Sequence, residues 1–350
     1  MQNYYRKHLT HLFILILVCT LFFTGCDRYK PKQEYLSKHT YVLGTIVEIR
    51  LYDHQSEELI DTAFNKLREL EAILSINKAN TLIDAINENA GIAPVEVDEN
   101  TFNLIQKGLH YSEMTSGAFD ISIGPLVKLW NIGFTSAKVP SEAEILKRLP
   151  LVDYHLVTLD EEAHSVYLEK EGMLLDLGGI GKGYAADEIA TLLRDAGVEH
   201  ALLDLGGNIY ALGDKPNGKL WTISIQDPFN PRGNSIGTLC IANQSTVTSG
   251  IYERYITSED GTTYHHILNP ESGYPFTNEL ASVTIVSTSS TDGDALSTAT
   301  FALGLEKGIN FIETLEGIDA IFITTDKQVY TTSGVKDTFN ILNNEFTLIN

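Results

Sequence analysis

Hydrophobic positions recur along this chain in two periods. Tyr41 to Leu51 is rich in β-branched and apolar residues and predicts extended structure. Leu59, Ile60, Ala63, Leu67, Leu70, Ile73 and Leu74 then fall at helical spacing and predict a helix over 56–75. The same spacing predicts helices over 100–115, 183–196 and 294–303. Two strand-like runs lie within 152–168, and 201–212 reads as a strand interrupted by Gly206-Gly207. Residues 221–226 alternate cleanly, 262–266 and 283–286 read as strands, and 318–324, 329–332 and 346–349 read as closing strands. Helices interleave with strands that adjoin one another. That pattern favours an α+β fold over a doubly wound sheet. No short-period repeat or low-complexity tract occurs.

The N-terminus has a pattern of its own. Arg6 and Lys7 precede an apolar run from Leu12 to Phe23. The run is too short to span a bilayer comfortably, which takes roughly 20 residues. It fits the core of a signal peptide. It ends in Phe23-Thr24-Gly25-Cys26, which resembles a bacterial lipobox with Phe23 where Leu is usual. Residues 1–25 therefore read as a lipoprotein signal peptide. Cys26 is the expected lipidation site, and residues 26–38 are the expected tether. The expected location is a bacterial cell membrane, with the protein lipid-anchored on its extracytoplasmic side. An ordinary signal peptide or an uncleaved anchor is the alternative. With Cys19 in the leader and Cys26 lipidated, Cys240 is alone, and its apolar strand-like setting reads as a buried, inert thiol.

Charge narrows the partners. The formal net charge is −21. That excludes a nucleic-acid backbone as partner, which needs a basic face. It suits a protein that stays soluble, or one whose anionic ligand arrives with a metal cation.

Candidate chemistry lies in the glycine-rich segments. Gly178, Gly179, Gly181 and Gly183 stand between an apolar strand and a helix, with Lys182 among them. Glycines allow close approach of a ligand, and a helix N-terminus offers N–H groups to a phosphate. The spacing matches neither a Walker A loop nor a dinucleotide fingerprint, so a phosphate cradle and a plain tight turn both stay open. Asp294 and Thr298 are one helical turn apart and share a face. Their oxygens suit Mg²⁺ or Ca²⁺, whereas an N-capping Asp and a buried Thr would look the same. His265 and His266 are neighbours in an expected strand, so at most one faces a given site.

Taken together, seven segments in order resemble the ApbE-type FAD:protein FMN transferase family. They are Leu43-Gly44-Thr45 (with Leu where the family has Met), Gly117 to Trp130, Asp176 to Ala185, Gly206 to Ile209, Thr248 to Arg254, His266 to Pro275 and Asp294 to Ala299. The resemblance runs over 39–350, which it identifies as the transferase domain. It implies an ApbE-like, T-fold-like α+β fold of two similar β-α-β halves with FAD and metal between them. It implies Mg²⁺-dependent transfer of FMN from FAD to a Thr or Ser hydroxyl of an acceptor flavoprotein, with release of AMP. That acceptor would belong to an extracytoplasmic or respiratory redox system. By position, Asp294 and Thr298 would hold Mg²⁺ through side chains, joined by the Gly179 carbonyl and by Ser297. FAD would be contacted by Leu43, Ala118, Phe119, Asp120, Asp176, Lys182 and Leu268, with Asn77 a looser match. His266 would be the base for the acceptor hydroxyl, with His265 facing away. The competing readings are an FAD pyrophosphatase using the same site and a non-catalytic FAD-binding lipoprotein.

Overall fold

A computed structural model describes residues 34–349. The expected signal peptide, Cys26 and most of the tether lie outside the described residues. The first strand, Leu36–Val42, begins inside the stretch read as tether.

One nine-stranded sheet organises the molecule. Its first four strands in spatial order are Leu36–Val42, Thr45–Leu51, Ala201–Leu205 and Asn208–Leu212. The next four are Gln244–Gly250, Leu280–Ser287, Asp319–Thr324 and Gln328–Thr331, and Thr347–Ile349 closes the edge. Neighbours are antiparallel except at that edge, where Thr347–Ile349 runs parallel to Gln328–Thr331. The sheet thus has two stretches of like order. In each, two strands lead into helices and two strands follow. Glu57–Leu74 and Gly181–Asp195 serve the first stretch; Ser290–Leu303 and Leu305–Ile312 serve the second. The stretches join where Asn208–Leu212 pairs with Gln244–Gly250.

Side-chain periodicity explains the layering. In Thr45–Leu51, Val47, Ile49 and Leu51 are buried while Glu48 and Arg50 face the other way. Ile60, Ala63, Phe64 and Leu67 of the first helix pack on that face, together with Ala185, Ala186, Ile189 and Leu193 of Gly181–Asp195. Leu280–Ser287 is buried at every position, because both its faces are covered. Helix Ser290–Leu303 covers one face. A small sheet with Trp221, Ile223, Ile225 and Leu239 covers the other, against Val286, Ile321 and Ile323. Such burial stabilises by about 25 cal/mol per Å² of apolar surface.

Three expectations change in detail. The β-rich run at 41–51 is a hairpin whose turn, Leu43-Gly44, has φ of 55° and 69°. Two positive values match a type I′ turn, which is costly for a leucine. The helix expected from Asp294 begins at Ser290, capped by the Ser289 hydroxyl, which accepts from Asp292 N–H at 3.2 Å. Asp294 is therefore inside the helix and is not its N-cap. Cys240 is a free thiol, but it is half-buried. It points to the opposite strand face from Leu239 and Ile241.

Asp187 ties the two central helices at one end. Asp187 accepts from Ser290 N–H (2.8 Å), Thr291 N–H (2.9 Å), the Thr291 hydroxyl (2.6 Å) and the Ser289 hydroxyl (3.2 Å). It supplies negative charge at the N-terminus of Ser290–Leu303 from a neighbouring helix. Asp187→Ala is expected to lower stability by about 2 kcal/mol, read as a lower urea midpoint at unchanged slope. A midpoint equal to the wild type would show that Ser289 alone suffices as cap.

Candidate active site

The glycine-rich turn and the Asp294 helix form the centre of the site. Helix Gly181–Asp195 starts at Ile180 with no side-chain cap. Its second residue, Lys182, donates through Nζ to Asp294 Oδ1 at 3.1 Å, and Gly183 N–H donates to Asp294 Oδ2 at 2.9 Å. Asp294 is 3% exposed. A Cβ at residue 183 would lie 2.1 Å from the Ser290 carbonyl oxygen and 2.7 Å from Asp294 Cβ, so only glycine permits this approach. The expectation of N–H groups free for a phosphate is thereby corrected in part. Gly183 N–H serves Asp294, Gly181 N–H donates to Leu177 O at 2.7 Å, and Gly178 N–H donates to Asp176 Oδ1 at 2.7 Å.

Oxygen atoms gather beside this contact. Thr298 is half-buried, one turn after Asp294. The Ser249 hydroxyl lies 2.8 Å from Ser297 Oγ and 3.2 Å from Thr298 Oγ1. Ser297 Oγ donates to the Asp294 carbonyl at 2.9 Å, so its hydroxyl is turned into this network. A Cβ built on Gly179 would lie 3.6 Å from Thr298 Oγ1 and 2.9 Å from Phe119 Cε2. Gly179, Asp294, Ser297 and Thr298 are thus brought together. A carboxylate has about four acceptor positions, so Asp294 retains some after its two hydrogen bonds. An all-oxygen set fits a hard cation such as Mg²⁺. Ser249 escaped the sequence reading of the site; its only signal was its place in the Thr248-Ser249-Gly250 segment. A second group of metal-ligating types, Asp53, Glu199 and His200, stands elsewhere. There Asp53 accepts from Glu199 N–H (2.9 Å) and His200 N–H (3.1 Å), which ties a strand end to its neighbour.

The two histidines divide as strand alternation requires. His265 Nε2–H donates to Phe276 O at 2.9 Å, its Nδ1 accepts from Ile267 N–H at 3.3 Å, and its ring meets Phe301 edge-on. It belongs to the packing. His266 is half-buried, and both its backbone N–H (3.1 Å) and its Nδ1 (3.2 Å) approach the Arg254 carbonyl. A carbonyl only accepts, so Nδ1 carries the proton and Nε2 keeps its lone pair. Burial, followed by the charges of Arg254 and His265, holds the His266 imidazolium down to about 3. Lys182 acts in the same direction. The ring is therefore neutral around pH 7.

The remaining expected residues line the surroundings in different ways. Asp176 is pushed up by burial, opposed by the Gly178 N–H and by Lys128 and Arg254. Lys128 donates to Asn77 Oδ1 at 2.9 Å and to the Ile76 carbonyl, so Asn77 stands beside the same cation. Phe119 is buried against Gly179, while Ala118 is half-buried. Asp120 is buried and ties two segments: Oδ1 accepts from Ser122 N–H and Oγ–H at 2.7 Å in its own loop, and Oδ2 from Tyr154 N–H at 3.1 Å in a later turn. Burial also raises its pKa. Leu268 packs with Leu126, Trp130 and Ile145. Leu43, in its strained turn, donates its N–H to Glu71 Oε1 at 2.9 Å. Arg254 was singled out only as part of a segment, yet its charge reaches both Asp176 and His266.

A mixed α/β fold of this kind is shared with solved flavin-transferase structures. The ApbE protein of Thermotoga maritima superposes with a TM-score of 0.78 at 31% identity, covering 86% of this chain and 98% of that one. The Pseudomonas stutzeri flavinyl transferase ApbE, in its apo form, gives 0.76 at 28% identity, covering 91% and 100%. Residues 43–322 match the ApbE family, and the chain belongs to it. It is 44% identical over 308 residues to an FAD:protein FMN transferase of Klebsiella pneumoniae (strain 342), covering 88% of this chain and 95% of that one. A Treponema pallidum protein of the same name is 37% identical over 350 residues, covering 95% and 96%.

Two outcomes follow from this geometry. Gly183→Ala is expected to cost about 1–3 kcal/mol by overpacking, visible as a lower melting temperature. Unchanged stability would mean that the two helices separate freely. For pH, a base works only while unprotonated, and His266 in the free protein protonates far below the ordinary value near 6.5. The acid limb of kcat/KM is therefore expected well below about pH 6. A limb at the ordinary histidine value would contradict the half-buried, cation-flanked setting.

Proposed function

We propose that this protein transfers FMN from FAD to a Thr or Ser hydroxyl of an acceptor flavoprotein, with Mg²⁺ bound and AMP released. The supporting observation is the meeting of the Gly179–Asp294–Ser297–Thr298 oxygen set with Lys182, within electrostatic reach of the neutral His266.

In this reading Asp294 and Thr298 hold the metal by side-chain oxygens, with the Gly179 and Ser297 backbone alongside. The metal supplies Lewis acidity and offsets the charge of the diphosphate. Lys182 adds a fixed cation where charge develops on the leaving phosphate of AMP. His266 Nε2 takes the proton of the acceptor hydroxyl as its oxygen bonds to the flavin-side phosphorus. The P–O bond to the adenylate breaks, and AMP leaves with the bonding electrons. The Arg254 carbonyl holds the imidazole in the tautomer this requires. Leu43, Asn77, Ala118, Phe119, Asp120, Asp176, Lys182 and Leu268 form the FAD surroundings. Asp120 would act there through the loop that it fixes. Cleavage before Cys26 and lipidation there would place the transferase domain, residues 39–350, on the extracytoplasmic side of a bacterial membrane, where its acceptor would also stand.

Mass spectrometry of a candidate acceptor tests the reaction, using the protein, FAD and Mg²⁺ with EDTA as control. A metal-dependent gain of one FMN phosphoester on Thr or Ser is expected. Free FMN and AMP with the acceptor unmodified would favour the pyrophosphatase instead, and intact FAD throughout would favour a binding protein. His266→Ala is expected to slow transfer by about 10²–10⁴-fold while FAD affinity holds. A parallel loss of FAD binding would make His266 a binding or structural residue.

A further inference from the structure

Arg254 is the site's unexplained cation. Among the described residues its guanidinium makes no ion pair and no side-chain hydrogen bond, and the residue is exposed. The adjacent acid cannot neutralise it, because Glu253 Oε2 is bound to Arg232 at 2.6 Å. Nor does it pair with Asp176: that carboxylate feels the Arg254 charge, but it accepts from the Gly178 N–H. An arginine in a chain of net charge −21 has many carboxylates to choose from, and this one engages none of those described.

Its side chain, by contrast, lies against two glycines. A Cβ on Gly133 would come within 2.9 Å of Arg254 Cδ, and one on Gly44 within 3.6 Å of Arg254 Nη2. Both glycines have positive φ, at 97° and 69°. Two loops therefore cradle this side chain, one following Trp130 and the other the strained Leu43-Gly44 turn. A guanidinium that lies against two loops with its donors free suits a planar anion, carboxylate or phosphate, held by two hydrogen bonds. Its own backbone carbonyl orients His266, so the Arg254 side chain and the imidazole start from one backbone contact. Lys182 bears on His266 as well, so the imidazole is influenced by two cations, one of them already committed to Asp294.

We propose that Arg254 binds the flavin-side phosphate, the group that is transferred, while Lys182 and the Asp294 cluster serve the remainder of the diphosphate. The assignment rests on the transferase reading, and it names a phosphate-binding residue beyond those the sequence suggested. The shared segment of Arg254 and His266 places the cation on the flavin side. The acceptor oxygen must be deprotonated by His266 and attack the flavin-side phosphorus, so the cation fixed beside His266 meets that phosphate first. No new bond or redox change is involved; the guanidinium stays protonated throughout.

Flavin fluorescence titrations of the full protein with FMN and with riboflavin test this, with AMP measured by competition against FAD. The wild type is expected to prefer FMN to riboflavin, and Arg254→Ala to lose about tenfold or more in FMN and FAD affinity. Riboflavin and AMP affinities should stay within about twofold, and Arg254→Lys should recover part of the loss, since a point charge replaces a fork. The assignment is overturned if the variant keeps the FMN preference, if AMP weakens in place of FMN, or if all four ligands weaken equally. It is overturned too if the wild type binds FMN no better than riboflavin. A wild type that shows the preference but modifies no acceptor refutes the transferase reading and leaves the residue assignment standing. An active wild type without the preference does the reverse.

Discussion

The structure of the site depends on the contact between the Asp294 carboxylate and the start of helix Gly181–Asp195. Two central helices meet there, and each brings something the other lacks. The glycine helix offers a backbone N–H and Lys182, together with the positive end of its dipole. The Asp294 helix offers a buried carboxylate that needs such partners, since an unpaired buried charge is strongly disfavoured. Gly183 makes the approach sterically feasible, and Asp187 fixes the same helix pair from the other side. The oxygens of Ser249, Ser297, Thr298 and Gly179 are placed as a consequence of this packing.

Charge gives the site its second constraint. The chain is strongly acidic, yet Lys182, Arg254 and Lys128 all bear on a few residues around the glycine-rich turn. Two of them, with burial, keep His266 uncharged. A site built to receive a diphosphate needs local cations far more than it needs a basic surface. The proposed Mg²⁺ would complete that local balance against Asp294.

Much of this was legible in the residues. Helical spacing located Glu57–Leu74 and Glu99–Met114 to within a residue or so, and clean alternation located Trp221–Gln226. Helices Leu82–Glu88, Gly124–Trp130, Glu142–Arg148 and Leu305–Ile312 were not read, because seven or eight residues make barely two turns. Asp294 looked like a cap only because the polar Ser290-Thr291-Asp292 turn before it carries no apolar period. The strand Gln244–Gly250 was missed for the same reason, and Ser249 with it. The pairing of His266 with the Arg254 carbonyl and the seat of Arg254 between Gly44 and Gly133 are tertiary facts. Residues 44, 133, 254 and 266 meet only when the fold is complete, so no spacing in the chain announces them.

The central claim is that the carboxylate fixed by Lys182 and Gly183 also holds the metal. Calorimetric titration of Mg²⁺ into the protein in the presence of FAD, compared with Asp294→Asn, tests it most directly. The amide can still accept from Gly183 N–H, so the helices stay joined while the charge and the Lys182 ion pair are lost. The account predicts a folded protein with a lowered melting temperature and a Mg²⁺ affinity lower by about tenfold or more. An Asp294→Asn protein that binds Mg²⁺ as tightly as the wild type would contradict it.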